Sequence, residues 1–216
     1  MDSDISCAGW KRRHFIAAAL TAPWTLANAA APRTILVVGD SLSAEYGLSR
    51  GTGWVALLQE RLSQQKIAAR LVNASISGDT TSGGRSRLQS LLTQHKPDIV
   101  VIELGGNDAL RGLPLQMTED NLAHMAQAAR KSGASVLIVG VQVPPNYGAD
   151  YANRFAGLFE KVAKANQASG APFLLAGLVD GPDPARWFQP DRIHPTAEAQ
   201  PRMLDNVWPD LKKLLR

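Results

Sequence analysis

Cysteine is almost absent from this chain. Cys7 is the only one in 216 residues, and it lies ahead of the first apolar stretch. Cleavage near Ala29 would leave none, which fits an exported protein and excludes disulfide staples, thiol catalysis and cysteine metal sites. A run able to span a bilayer is also missing: Phe15 to Leu26 is short, Ala-rich and only moderately apolar. The net charge of +4 is scattered, with no basic stripe interleaved with aromatics, so nucleic acid is not an expected partner. No H-E-x-x-H string or tight His/Asp cluster suggests a metal. Internal repeats, low-complexity segments and linkers are lacking too. What remains is an ordinary globular composition, 45% hydrophobic and 19% charged, long enough for one domain with a sizeable core.

The first thirty residues read as an export signal peptide. Lys11-Arg12-Arg13 is a basic n-region, Phe15 to Leu26 an apolar h-region, and Ala27-Asn28-Ala29 a small-x-small cleavage signal. Arg12-Arg13-His14-Phe15-Ile16 also resembles a twin-arginine signal, although Lys11 stands where Ser or Thr is usual. The expectation is a periplasmic or secreted bacterial protein, without a stable membrane anchor, whose mature part is one domain over 31–216. A monomer is expected.

Beyond the leader, strand and helix patterns alternate. Strands are predicted at Thr34–Val38, Ala69–Ala74, Ile99–Leu104, Ser135–Val141 and Phe173–Leu175. Apolar residues at helical spacing predict helices over Gly53–Leu62, Arg85–His95, Thr118–Lys131, with Thr118 as its cap, Ala149–Ala168 and Thr196–Leu214, the last interrupted near Pro201 and Pro209. Continuous apolar strands between helices argue for a parallel sheet covered on both faces.

The loops after the strands carry the unusual residues: Gly39-Asp40-Ser41-Leu42-Ser43, then Asn73 to Thr81, then Leu104-Gly105-Gly106-Asn107-Asp108, then Val143-Pro144-Pro145-Asn146-Tyr147. In an open α/β sheet such loops gather at the carboxyl edge, where ligands bind. Acyl transfer from an ester needs a nucleophile, a base and donors for the developing oxyanion. Ser41 can attack, His194 can take and return its proton, and Asp191, three residues earlier, can hold the imidazole tautomer. Backbone N–H groups of Ser41 and Gly78, with the Asn107 amide, can hold the oxyanion. Gly47-Leu48-Ser49-Arg50-Gly51 matches the G-x-S-x-G elbow string, but no strand feeds it, so Ser49 is not the expected nucleophile. Asp40 and Asp108 are expected to hold loops rather than to do chemistry.

These blocks, in this order and spacing, resemble the SGNH (GDSL) hydrolases across essentially all of 31–216. The resemblance is strongest to the bacterial periplasmic thioesterase I/lysophospholipase/arylesterase group, through Val72 to Thr80, Glu103 to Asp108, Leu110-Arg111-Gly112, Asn146-Tyr147-Gly148 and Ile193-His194-Pro195. It implies a flavodoxin-like three-layer α/β/α sandwich with a central parallel sheet. It also implies ester and thioester substrates, lysophospholipids among them, and no metal or organic cofactor. It carries the nucleophile to Ser41, the acid–base pair to Asp191 and His194, and the oxyanion hole to Ser41, Gly78 and Asn107. Ala109 departs from the glycine that relatives often have, and its methyl is expected to trim the acyl entrance. Tyr147 and Tyr151 either line the substrate pocket or cover the sheet edge. The alternative reading is an O-acetyl esterase or acyltransferase acting on cell-envelope carbohydrate.

Overall fold

Five short strands, each nearly or wholly apolar on at least one face, lie side by side in the order β2-β1-β3-β4-β5, all parallel. They are β1 (Arg33–Gly39), β2 (Ala69–Asn73), β3 (Ile99–Glu103), β4 (Ser135–Gly140) and β5 (Ser169–Phe173). The structure is a computed structural model. It describes Met1 and residues 31–216 except Pro182. The signal-peptide assignment falls on residues outside those described.

Side chains alternate across the sheet, as the pleat requires. Leu36, Val38, Val100, Ile102, Val136 and Ile138 face one apolar cluster, under α2 (Thr81–His95), α4 (Leu115–Lys131) and α5 (Ala149–Ala165). Ile35, Val37, Ile99, Val101, Leu137 and Val139 face the other, under α1 (Trp54–Gln64) and α6 (Gln200–Leu214). The fold is therefore the expected three-layer α/β/α sandwich. Ala31–Arg216 form one compact unit, and both clusters lie wholly inside it. From β1 the chain steps to β2 on one side, and from β3 onward it runs to the other. This order is flavodoxin-like, with its switch point between the carboxyl ends of β1 and β3.

Several boundaries differ from the sequence reading, each for a physical reason. α2 starts at Thr81, not Arg85, with Thr80 as its cap accepting the Gly83 N–H. Gly83 and Gly84 hide that turn from propensity. A Cβ on Gly84 would stand 2.3 Å from Leu104 Cδ1, so glycine lets the helix lie on the sheet. α4 starts at Leu115, and Thr118 is no cap: it is buried, its hydroxyl donating to Asp108 Oδ1. The last strand is Ser169–Phe173 rather than Phe173–Leu175; Gly170 and Pro172 disguise it, and Pro is tolerated on an edge strand. Pro201 sits in the first turn of α6, where no amide is needed. α6 also runs on through Pro209, which is exposed and lacks the amide that an interior helical position would use. The third loop contains a short helix, α3 (Gly106–Leu110), that the sequence reading left as loop.

Candidate active site

Ser41 lies two residues past the end of β1, at the switch point. Asp40 sets the turn: its carbonyl accepts from Ser43 N–H (3.2 Å) and Ala44 N–H (2.9 Å), and its Oδ1 accepts from Leu42 N–H (3.0 Å). The turn leaves Ser41 half-buried with its Oγ 2.8 Å from His194 Nε2. His194 Nδ1 lies 2.6 Å from Asp191 Oδ2. A carboxylate can only accept, so Nδ1 carries the proton and Nε2 is left to accept from the serine. Residues 153 apart in sequence thus meet in one relay.

The Asp191–His194 loop is built to hold that geometry. Asp191 Oδ1 accepts from the backbone N–H of Ile193 and of His194, both at 3.0 Å, and Arg192 between them takes a positive φ of 58°. The bond from the imidazole, and then those two amides, bring the Asp191 carboxyl down to about 2, so it stays ionised at any ordinary pH. The His194 carbonyl accepts from Gln189 N–H (2.8 Å), and Gln189 Nε2 donates to Tyr46 O (2.9 Å). The Tyr46 ring rests on the imidazole, centroids 4.3 Å apart.

Across the crevice, Gly78 has a φ of +78°, and a Cβ there would meet nothing closer than 3.8 Å. Glycine is needed for the backbone angle, not for space. Neither Gly78 N–H nor Ser41 N–H donates to another group among the described residues. Asn107, in α3, is different: its Nδ2 donates to Asp40 Oδ2 (3.0 Å) and to Asp79 O (2.9 Å), so both amide protons already have acceptors. Ala109 is 2% exposed and belongs to the apolar core cluster. Tyr147 and Tyr151 begin an aromatic ladder, with centroids 6.0 Å apart, that continues through Phe155 to Phe159 beneath Gly105. Ser49 is exposed in a turn, its carbonyl bonded to Thr52, and has no imidazole partner among the described residues.

Two polar residues were given no role in the sequence reading. Glu103 ends β3, is fully buried, and accepts from Ser43 Oγ–H at 2.7 Å, while Ser43 accepts from Trp54 Nε1–H. Burial first, then the nearby Asp40 charge, raises its carboxyl well above the usual range. The signal was a lone acid closing an otherwise apolar run, Ile99 to Ile102. Arg87, on α2, pairs with Asp79 Oδ2 at 2.8 Å and donates to the Ala74 and Gly39 carbonyls. One guanidinium thereby ties the end of β1, the end of β2 and the Gly78 loop together.

Burial also pushes the Asp40 carboxyl up to about 6, against the lowering bonds from Leu42 N–H and Asn107. The unfolded chain loses this proton near pH 4 and the native one near 6, so stability contributed here falls as pH rises between them. Asp40→Asn lacks that slope. Relative to the variant, the wild type is expected to lose about 2 kcal/mol between pH 4 and pH 7, read from urea melts. A gap independent of pH would refute the raised carboxyl.

Residues 37–201 match the GDSL-like lipase/acylhydrolase family. Esterase TesA of Pseudomonas aeruginosa is 52% identical over 192 residues, which cover 88% of this chain and 93% of that relative. Thioesterase 1/protease 1/lysophospholipase L1 of Escherichia coli K12 is 41% identical over 188 residues, covering 87% and 88%. A crystal structure of TesA superposes with a TM-score of 0.81 at 52% identity, covering 84% of this chain and 99% of that one. A strand order that sets Ser41 at the switch point, a serine–imidazole–carboxylate relay and these likenesses agree: the chain belongs to the GDSL-like lipase/acylhydrolase family of ester-bond hydrolases.

Proposed function

We propose that this chain is an exported serine esterase that hydrolyses carboxylic esters and thioesters, of the thioesterase, lysophospholipase and arylesterase type borne in its relatives' names. The observation that carries the reading is the relay Ser41 Oγ–His194 Nε2–Asp191 at 2.8 and 2.6 Å. Ser41 Oγ attacks the acyl carbon as its proton passes to His194 Nε2. The electron pair moves to the carbonyl oxygen, held by the N–H groups of Ser41 and Gly78 and by Asn107. When the tetrahedral centre collapses, His194 gives the proton to the leaving alcohol or thiol and acyl-Ser41 remains. Water, deprotonated by the same imidazole, repeats the attack and releases the carboxylic acid. Asp191 stays ionised, fixes the tautomer and stabilises the imidazolium.

A fluorophosphonate tests the reading directly, because it phosphonylates only an activated serine hydroxyl. Mass spectrometry is expected to find the label on the peptide carrying Ser41 and to find it lost in His194→Ala. Label on Ser49, or labelling indifferent to His194, would sink the assignment. Export rests on the basic, apolar and small-residue pattern of residues 11–29, and the N-terminal sequence of the protein recovered from a periplasmic extract tests it.

A further inference from the structure

Few large apolar side chains are exposed among the described residues, and those few are not scattered. Tyr46, Ile76, Leu110 and Ile193 are each about half exposed; beyond them only Met1 and, at 36%, Val179 are. Each of the four attaches to a different part of the catalytic crevice. Tyr46 lies on the His194 ring. Ile193 precedes His194 in the Asp191 loop. Ile76 opens the turn, closed by Asp79 N–H to Ile76 O, that carries Gly78. Leu110 ends α3, three residues past Asn107. Single exposed apolar residues need no explanation, but a ring of them around one site does.

Cations stand in the same ring. Arg111 is exposed and anchored to the Gly78 carbonyl at 2.7 Å, and Arg192 is exposed between Asp191 and Ile193. Neither pairs with a carboxylate among the described residues. The neighbouring acids are already engaged: Asp191 by His194, and Glu45 by the N–H groups of Gly51 and Gly53. The ring therefore offers apolar side chains and unpaired positive charge together.

Whatever covers this ring must also feed an ester carbonyl to its centre. A folded protein seated there would close the crevice. An aggregate of amphiphiles instead delivers its own molecules from the surface it presents, and unpaired arginines select anionic headgroups. We infer that Tyr46, Ile76, Leu110 and Ile193, with Arg111 and Arg192, form a docking surface by which the enzyme sits on an anionic phospholipid aggregate and draws acyl esters from it into the Ser41 crevice. The inference rests on the esterase reading for its substrate, but its test does not depend on turnover.

Residues 31–216, the unit that holds both cores, are prepared as Ser41→Ala and sedimented with two kinds of vesicle: phosphatidylcholine alone, and phosphatidylcholine with phosphatidylglycerol. Binding is expected to be at least about tenfold tighter to the anionic vesicles, from two arginines worth about fivefold each. Ile76→Ser/Leu110→Ser/Ile193→Ser is expected to weaken that binding by at least about tenfold. Arg111→Gln/Arg192→Gln is expected to lose the preference for anionic vesicles, and it decides the matter if the triple variant fails to fold. A parent that stays in the supernatant with both vesicles overturns the inference, as do folded variants that bind like the parent. Failure of the esterase reading would show separately, as loss of the fluorophosphonate label from Ser41 in the wild type.

Discussion

Ser41→Ala is expected to lose turnover of p-nitrophenyl esters by about 10⁵–10⁶-fold in kcat while keeping its fold. The size follows from the relay. Ser41 Oγ bonds to His194 Nε2, and His194 is oriented through Asp191, so removing the hydroxyl leaves the other two nothing to activate. The residual rate would come from the oxyanion donors acting on water. Stability should barely move. Ser41 is half-buried, and the turn that holds it is made by the Asp40 carbonyl and carboxylate rather than by the serine side chain. A melting temperature close to wild type with turnover at background is the expected pair of results. Esters from acetate to palmitate, run on the wild type in parallel, bear on substrate class. Activity confined to acetate would favour the O-acetyl esterase alternative, and activity on long chains the lysophospholipase type. Turnover by the alanine variant within tenfold of wild type would remove Ser41 from the mechanism.

How far the sequence revealed this arrangement depended on which force set each element. The strands of the buried sheet were legible because both faces are covered, so Ile35 to Val38, Ile99 to Ile102 and Val136 to Val139 are unbroken apolar runs. The hydrogen-bonded cluster of Ser41, His194 and Asp191 was legible because residue type and position near a strand end coincide at Ser41, and because Asp191 and His194 are close enough in sequence for one loop to hold both. Elements set by packing rather than propensity were hidden. The first turn of α2 contains two glycines, one of them required by the approach of Leu104. β5 carries a glycine and a proline that only an edge position tolerates. The roles of Arg87 and Glu103 were hidden for another reason. Each acts through partners distant in sequence, and only the fold brings Arg87 to Gly39 and Ala74, or Glu103 to Ser43.

Asn107→Ala should lower kcat by about 10²–10³-fold with little change in KM, the usual size for one oxyanion donor. The resting geometry sharpens this expectation. Both amide protons are already engaged, one by the Asp40 carboxylate and one by the neutral Asp79 carbonyl. A developing oxyanion is a stronger acceptor than a neutral carbonyl. The N–H bonded to Asp79 O is therefore the one expected to redirect its hydrogen bond to the substrate oxygen, its proton staying on nitrogen, while the bond to Asp40 keeps the amide in place. That exchange contributes little while the substrate carbonyl is uncharged and most when charge has developed, which is why kcat rather than KM should carry the loss. Alanine would also leave Asp40 Oδ2 and Asp79 O short of a donor, at a cost of about 1–3 kcal/mol in stability. The two effects separate cleanly, because melts read the second and saturating-substrate kinetics the first. A stable variant with kcat within about threefold of wild type would reduce the oxyanion hole to the two backbone amides and leave Asn107 as a tie between Asp40 and the Gly78 loop.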